Sequence, residues 1–172
     1  MTRFVRIPPT RRLPDVAQQD SLSLDFVSLL NVEFNLSPAF LGRPRRPEEF
    51  PSIGYDYKFQ EDLRQHEGRS LLNEIVTVTV VFSDKAGNPL KDPSLRPFDL
   101  TASVLGHFTF GEDVSRDRSE ALLSTACAIL FPYVRELVTN LTARTVYPVA
   151  RIPPTNVIAI RERQLAAIKP AD

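Results

Sequence analysis

Three stretches of this 172-residue chain alternate apolar with polar residues, and a further stretch is rich in β-branched residues; these patterns limit what the chain can fold into. A period of two places successive side chains on opposite faces of a β-strand, so the pattern predicts half-buried strands. In the first stretch, Phe26 falls among the residues expected to face the core. The β-branched stretch, residues 72–82, can pack on both faces, as a central strand would. We expect one antiparallel sheet whose four strands cover residues 22–36, 53–63, 72–82 and 98–110.

The segment after the fourth strand predicts a long helix. Asp117 and Glu120 resemble a helix-start box, and residues 121–145 lack strand alternation. Pro132 removes one backbone hydrogen bond and is expected to kink this helix. Beyond a run of prolines, residues 155–168 carry apolar residues at roughly helical spacing and predict a second helix. The predicted fold class is therefore α+β, a four-stranded antiparallel sheet followed by a long helix and a shorter C-terminal helix.

The first half of the long helix, residues 121–131, is apolar almost all the way round. A helix that lies on one sheet face needs only one apolar stripe, so the surplus has to be buried elsewhere. Packing against a second copy of the chain is the simplest solution, and we expect a homo-oligomer. The candidate interface residues are Leu122, Leu123, Ala126, Cys127 and Leu130.

The chain is expected to form one domain preceded by an extended arm. Residues 1–20 are proline-rich without sustained periodicity and are interpreted as the arm, and residues 21–172 as the domain. The connection 83–97 is longer than a hairpin needs and is expected to be an exposed insertion. The pentapeptide Arg-Ile-Pro-Pro-Thr occurs at 6–10 and again at 151–155. Either proline-rich segments reuse similar sequences, or the arm can take the place of the second copy.

The balance of charge bears on the kind of partner. Lys plus Arg and Asp plus Glu number 21 each, so no overall field attracts a nucleic acid or an anionic membrane. The N-terminus lacks the apolar run of a secretory signal, and no stretch approaches the ~20 apolar residues of a membrane span. A cytoplasmic protein is therefore expected. A weaker alternative is nucleic-acid binding through the basic loop residues Arg43, Arg45 and Arg46.

Few side chains are suited to catalysis. The distinctive candidates are His66, His107 and the single cysteine, Cys127. His66 is expected in a polar turn, His107 on the outer sheet face, and Cys127 in an apolar helix segment where a buried inert thiol is the common case. The sequence contains no glycine-rich phosphate loop and no metal-spaced cluster of His, Asp or Glu. We predict no catalytic residue, no metal and no cofactor; the rival is an enzyme acting through Cys127 or His107.

Three segments resemble SecB, the bacterial export chaperone family. The run Leu-Phe-Pro-Tyr-Val-Arg-Glu-Leu at 130–137 resembles the main helix of the family. The run Ile-Pro-Pro-Thr-Asn-Val at 152–157 is similar to the start of its last helix, and Gly-His-Phe-Thr-Phe at 106–110 resembles the end of its fourth strand. The order of elements also agrees, and the resemblance is strong from about residue 97 to 160.

The resemblance implies an assembly and a function. SecB proteins are homotetramers, dimers of dimers with long helices between the sheets, and act as ATP-independent holdases for unfolded or extended polypeptides. Their clients bind along hydrophobic, aromatic-lined grooves between the sheet, the crossover loop and the last helix, which capture apolar side chains without demanding one sequence. The matching groove candidates in this chain are Tyr55, Tyr57, Phe59, Val157 and Ile160.

The chain departs from that family in its charge. Export members are strongly acidic and dock the preprotein translocation ATPase through an acidic sheet face, whereas this chain is neutral and places Asn31, Asn35 and Thr101 there. Its charge argues against docking to that ATPase. Some relatives serve dedicated clients such as antitoxins, and a neutral surface suits that role equally well. We predict a holdase for export or for a dedicated client; the alternative is an adaptor of the same fold that binds one specific partner.

Overall fold

The structure, a computed structural model, describes residues 22–40, 46–66, 69–110, 116–145, 147 and 149–168. Its four strands are β1 (Ser23–Leu36), β2 (Ser52–His66), β3 (Arg69–Ser83) and β4 (Phe98–Phe110). Two helices follow, α1 (Arg116–Thr142) and α2 (Val157–Ile168). Single turns of 3₁₀-helix lie at Pro38–Phe40, Pro47–Glu49 and Pro93–Leu95. The predicted α+β class and the order of its elements are confirmed.

The sheet is antiparallel throughout and has the strand order β1-β4-β3-β2. β2 and β3 form a long hairpin in which Ser52 pairs with Ser83 at one end and His66 with Arg69 at the other. β1 pairs with the far side of β4, so the chain crosses over between β1 and β2. β3 and β4 are the central strands, as the β-branched composition of β3 predicts. β1 and β2 are the two edges of the sheet.

The two faces of the sheet differ in burial. On the side that carries the helices, every second residue of β3 from Leu72 to Phe82 and of β4 from Phe98 to Phe110 is buried. The other side is the open face, where hydroxyl groups pair across the central strands. These pairs are Thr77 with Ser103 at 2.9 Å and Thr79 with Thr101 at 3.2 Å. Burial of one face is what the alternation of the sequence predicts.

Two irregularities in β1 change which of its residues face the helices. The register with β4 shifts between Leu24 and Phe26 and again between Leu29 and Asn31. As a result Phe26 pairs with His107 on the open face and is 49% exposed. The prediction that Phe26 faces the core is wrong, because a bulge adds one residue and reverses the direction of the side chains beyond it.

The long helix α1 packs on β3 and β4. Fully buried apolar residues recur along it at helical spacing, among them Ala126, Leu130, Val134 and Val138. Gly106 of β4 permits the close approach of the helix, since a Cβ atom at that position would lie 2.6 Å from Leu130 Cδ2. The helix begins at Arg116, just before the predicted start, and runs through the exposed Pro132.

By length and composition alone, the segment Glu120–Thr142 of α1 could cross a membrane, with a mean hydropathy of 1.5. The expectation that no stretch approaches the composition of a span is therefore wrong. In the domain the segment packs against the sheet, with Leu130 and Val134 fully buried, because an apolar helix side and an apolar sheet face cover each other.

The turn after α1 places the second pentapeptide on the domain. The backbone N–H of Ala150 donates to Thr142 Oγ1 at 3.0 Å. Ile152 is then fully buried, whereas Arg151 and Pro153 on either side of it are exposed. Tyr147, in the same turn, belongs to an aromatic cluster with ring centroids 6.1 to 6.4 Å apart that also contains Phe40, Phe50 and Phe98.

Several predicted features lie outside the described residues, namely the arm at 1–20 with the first pentapeptide, and Arg43 and Arg45 of the basic loop. The insertion 83–97 is described and is exposed for most of its length, as predicted. Asp84 accepts hydrogen bonds from the backbone N–H groups of Ala86 and Asn88, each at 2.8 Å. Gly87 completes this turn with a φ of 86°, a conformation that favours glycine.

Candidate functional site

The aromatic residues of β2 form a strip on the helix side of an edge strand. Tyr55, Tyr57 and Phe59, here called the aromatic strip, are partly buried and pack at the margin of the core. The Tyr57 ring lies against Phe131 of α1, with ring centroids 5.8 Å apart. The three side chains occupy the face that the alternation predicts, and their incomplete burial leaves part of the strip accessible.

The short helix α2 lies beside the aromatic strip. Gln164 Nε2 donates to the carbonyl oxygen of Tyr57 at 2.7 Å. Arg161 Cζ lies 5.7 Å from the centre of the Phe59 ring, within the range of a cation–π contact. The structure thus brings the last helix of the chain against the predicted aromatic residues of β2.

The two predicted groove residues on α2 differ in burial. Val157 belongs to the hydrophobic core, whereas Ile160 is partly buried. Asn156 caps the helix, since its Oδ1 accepts a hydrogen bond from the backbone N–H of Ala159 at 3.1 Å. Val157 therefore helps to attach α2 to the domain, and Ile160 lies nearer to solvent.

Between α2 and the sheet lies a group of charged side chains. Arg161 donates hydrogen bonds to a carboxylate oxygen of Glu74 on β3 and to one of Glu61 on β2. These two glutamates are cross-strand partners, so both carboxylates lie on the helix side. The side chains of Glu74 and Arg161 are 0% and 1% exposed, and that of Glu61 is 36% exposed. Cys127 of α1 adjoins Arg161 and completes the group, here called the charged cluster.

The environment of the charged cluster changes its ionisation. Burial raises the pKa of Glu74 to about 8, because the attraction of Arg161 offsets only part of the loss of hydration and Glu61 repels a second negative charge. One guanidinium faces two carboxylates, so a proton on Glu74 leaves the cluster neutral. Glu74 Oε2 and Arg161 Nε find no hydrogen-bond partner among the described residues. The cluster is thus incompletely paired in a region that excludes water.

The residues considered for catalysis are not brought together. Burial raises the pKa of Cys127 to about 12, and the charge of Glu74 acts in the same direction. The sequence near Cys127 offers no cation, and the fold supplies Arg161. Desolvation outweighs the effect of that cation on the pKa, so the thiol keeps its proton at neutral pH. His107 lies on the open face with its Nδ1 2.5 Å from Asn73 Oδ1, and His66 is the last residue of β2. Among the described residues, no three His, Cys, Asp or Glu side chains are grouped to hold a metal ion.

Comparison with known proteins relates this geometry to a family. No family model matches the chain. Over 61 residues the chain is 41% identical to the protein-export protein SecB of Idiomarina loihiensis, a match that spans 35% of this chain and 36% of that protein. The chain is SecB-like. The match to that relative thus spans about a third of the relative's length.

Two further proteins are similar to this SecB-like chain. An uncharacterised protein of Methanocaldococcus jannaschii is 29% identical over 112 residues, which are 64% of this chain and 68% of that protein. The solved structure of the SecB-like chaperone Rv1957 of Mycobacterium tuberculosis, in complex with a ChAD peptide from the Rv1956 HigA1 antitoxin, is 16% identical in sequence. That match has a TM-score of 0.46 and covers 78% of this chain and 90% of the other.

The predicted interface residues of the SecB-like domain fall into two groups. Ala126, Cys127 and Leu130 are fully buried within a single chain. Leu122 and Leu123 are only partly buried. The first three therefore belong to the core of the chain itself, because its own sheet and helices cover them. An interface on α1 remains a prediction for the other two.

Sequence reasoning missed the charged cluster of this SecB-like domain. One signal was available, since Glu74 falls at the same alternate positions of β3 as Leu72 and Val76 and so belongs to its buried face. A buried carboxylate needs a cation or a proton as its partner. Arg161 could not be recognised as that cation, because it lies 87 residues further along the chain on a separate helix.

Proposed function

We propose that this chain is an ATP-independent holdase that binds non-native polypeptide along the aromatic strip. The observation that carries the proposal is the aromatic strip itself, partly buried on an edge strand beside α2 in a chain that is SecB-like. The class of client is unfolded or extended polypeptide. Export is the pathway in the name of the Idiomarina relative, and a dedicated client is the second pathway within the same proposal.

The aromatic strip suits client side chains of varied sequence. Burial of apolar surface contributes about 25 cal/mol per Å² and does not depend on the direction of approach, so many sequences gain similar free energy. β2 is also an edge strand, so its outer backbone groups can pair with an extended segment. Gln164 already occupies the carbonyl oxygen of Tyr57, which makes α2 a competitor for part of this edge.

We propose further that the chain assembles as a homotetramer. The part of α1 that the sheet does not cover carries apolar residues that are partly or largely exposed, namely Leu122, Leu123, Ile129, Tyr133 and Leu137. Apolar side chains that stay partly exposed along a helix are typical of an interface. Light scattering on a sizing column should give four times the chain mass of 19.4 kDa. A mass of one chain would contradict the assembly.

The proposal does not extend to the preprotein translocation ATPase. Asn31 and Asn35 pair with Ser103 and Asp99 of β4, so both amides lie on the open face. Between them Glu33 pairs with Thr101. This mixture of amides, hydroxyls and isolated carboxylates differs from the acidic face that the resemblance associates with that ATPase.

A binding assay with matched variants tests the holdase proposal. The wild-type protein should suppress the aggregation of a reduced, unfolded client without ATP and should form a stable complex with it on a sizing column. Tyr55→Ala should weaken client binding about tenfold or more, since a buried aromatic side chain contributes about 1.5–3 kcal/mol. The control is Asp56→Ala, because Asp56 is the next residue of β2 and is exposed on the open face.

The outcomes of this assay separate the alternatives. Equal affinity of the Tyr55→Ala variant and the wild type would contradict the aromatic strip as the client site. A wild-type protein that suppresses no aggregation, yet forms a complex with one defined partner, would assign the adaptor function instead.

A further inference from the structure

A charged side chain, Arg161, is the most deeply buried of the α2 side chains that the structure describes. Of its described side chains, only Val157 and Arg161 are buried. The described contacts of α2 include its packing on α1, the contacts of Arg161 with Glu74 and Glu61, and the hydrogen bond from Gln164 to β2. A helix of this length normally rests on an apolar stripe, and here a guanidinium takes the central place of that stripe.

An ion pair in this position holds a helix differently from apolar contact. A buried ion pair contributes little net stability, because the lost hydration of both groups offsets most of their attraction. Glu74 and Arg161 regain this hydration when α2 moves away from the sheet. Their atoms without partners, Glu74 Oε2 and Arg161 Nε, add to the cost of the closed arrangement. Release of α2 is therefore easier than release of an apolar helix of equal length.

We propose that Arg161 is the positioning residue of α2: its contacts with the Glu74 carboxyl group and with Glu61 hold the helix beside the aromatic strip and so set how much of the strip is exposed. The proposal rests on the proposed function, because the strip is the surface assigned to the client. When Arg161 leaves the charged cluster, α2 also loses its contact with Phe59, and the strip becomes accessible.

The ionisation of Glu74 bears on the strength of this attachment. The charged and titratable groups that face Glu74 are Arg161 from α2, Glu61 from β2 and Cys127 from α1, while its neighbour on β4 is Gly106. The pKa of Glu74 is about 8 with α2 in place and returns towards its ordinary value of 4.5 once water reaches the carboxyl group. At a pH between these two pKa values, opening of α2 releases a proton from Glu74. The helix α2 therefore opens more readily as the pH rises.

Hydrogen–deuterium exchange of the full chain tests the proposal without a client. Exchange is compared between the amides of α2 and those of β3 at 76–80, after correction for the intrinsic pH dependence of exchange. Arg161→Met should raise exchange in α2 about tenfold or more and leave β3 unchanged, and Arg161→Lys should lie between that variant and the wild type. The Met variant should fold, because Glu74 can take up a proton and so avoid an unpaired buried charge.

The wild-type protein and Glu74→Gln supply a second test that removes no cation. Exchange in α2 of the wild type should increase from about pH 6 to about pH 8.5, by at most tenfold per unit. Glu74→Gln keeps the cluster neutral and should abolish the increase. If the amides of α2 exchange as slowly in Arg161→Met as in the wild type, the packing of the side-chain stem holds the helix. That result would overturn the proposal. Exchange in α2 of the wild type that is independent of pH would overturn it as well.

Client association distinguishes this proposal from the proposed function. Arg161→Met should bind the reduced, unfolded client faster than the wild type, because more of the aromatic strip is exposed. Unchanged association together with faster exchange in α2 would overturn the control of the strip by Arg161. If no form of the protein binds the client, the proposed function fails, while the exchange data still decide whether Arg161 positions α2.

Discussion

The two helices lie on the same side of the sheet but are attached to it by different forces. α1 rests on β3 and β4 through fully buried apolar side chains such as Leu130 and Val134, and Gly106 lets it approach closely. α2 lies beside β2 and is held by Arg161 among carboxylates. Apolar attachment depends little on pH, whereas attachment through ions changes with each proton gained or lost. The sheet thus carries one helix whose attachment depends little on pH and one whose attachment depends on ionisation.

Truncation of the apolar attachment should have the largest effect. Leu130→Ala removes a fully buried side chain and should lower the free energy of unfolding by about 2–5 kcal/mol, because the cavity cannot close completely. Urea titration at fixed protein concentration measures this change. The control is Asn140→Ala, an exposed residue of the same helix, for which a change within about 0.5 kcal/mol is expected. Equal effects of the two substitutions would contradict the apolar attachment of α1.

Overfilling the same contact should have the next largest effect. Gly106→Ala places a Cβ atom 2.6 Å from Leu130 Cδ2 and should destabilise the domain by about 1–3 kcal/mol, since the neighbouring side chains are fully buried and cannot move aside. The matched control is Gly54→Ala, where the new Cβ would lie 3.1 Å from a methyl group of the exposed Val81. A thermal melt that ranks the control as the less stable variant would refute the close approach of α1.

The charged attachment should make stability depend on pH. The folded pKa of Glu74 lies above its unfolded value, so the folded state binds the extra proton and its advantage is lost as the pH rises. The free energy of unfolding should therefore fall between about pH 5 and about pH 8, by at most about 1.4 kcal/mol per unit. The difference between wild type and Glu74→Gln in urea titrations isolates this effect. A constant difference across the range would show that Glu74 does not titrate there.

Among these changes, removal of the outer carboxylate should have the smallest effect. Glu61 is one-third exposed, so Glu61→Gln should change the free energy of unfolding by less than about 1 kcal/mol. The charge of Glu61 contributes to the raised pKa of Glu74, and the variant should shift the pH dependence of stability to lower pH. Asp62→Asn alters the next residue of β2 and should leave that dependence in place. Identical pH profiles for both variants would contradict coupling between the two glutamates.

Much of the sheet and of α1 can be predicted from local sequence. The alternation predicts β4 over 98–110, and these are the bounds in the structure. It also places the aromatic strip on one face of β2, because a two-residue period alone decides the face of a regular strand. The apolar first half of α1 predicts burial, although Ala126, Cys127 and Leu130 are buried by the chain's own sheet.

The exposure of Phe26 and the attachment of α2 depend on contacts between distant parts of the chain, which no local pattern predicts. A bulge has no period of its own, so the exposure of Phe26 follows only from the register of β1 with β4. Glu74 is visible as a carboxylate at a buried position of β3. Its partner Arg161 comes from a helix whose position is decided by packing over the whole domain. The raised pKa of Glu74 then depends on depth of burial, which the order of residues does not state.

The single cysteine gives this domain a chemical probe of its own. Cys127 is fully buried beside Arg161, where α1, α2 and the sheet meet. A thiol-specific reagent reaches it only after that junction separates, so the speed of labelling records how often the unmodified protein opens there. Because the chain has a single thiol, the labelling rate reports on this junction alone. Opening of the junction can therefore be measured in the wild-type protein, with no label attached in advance.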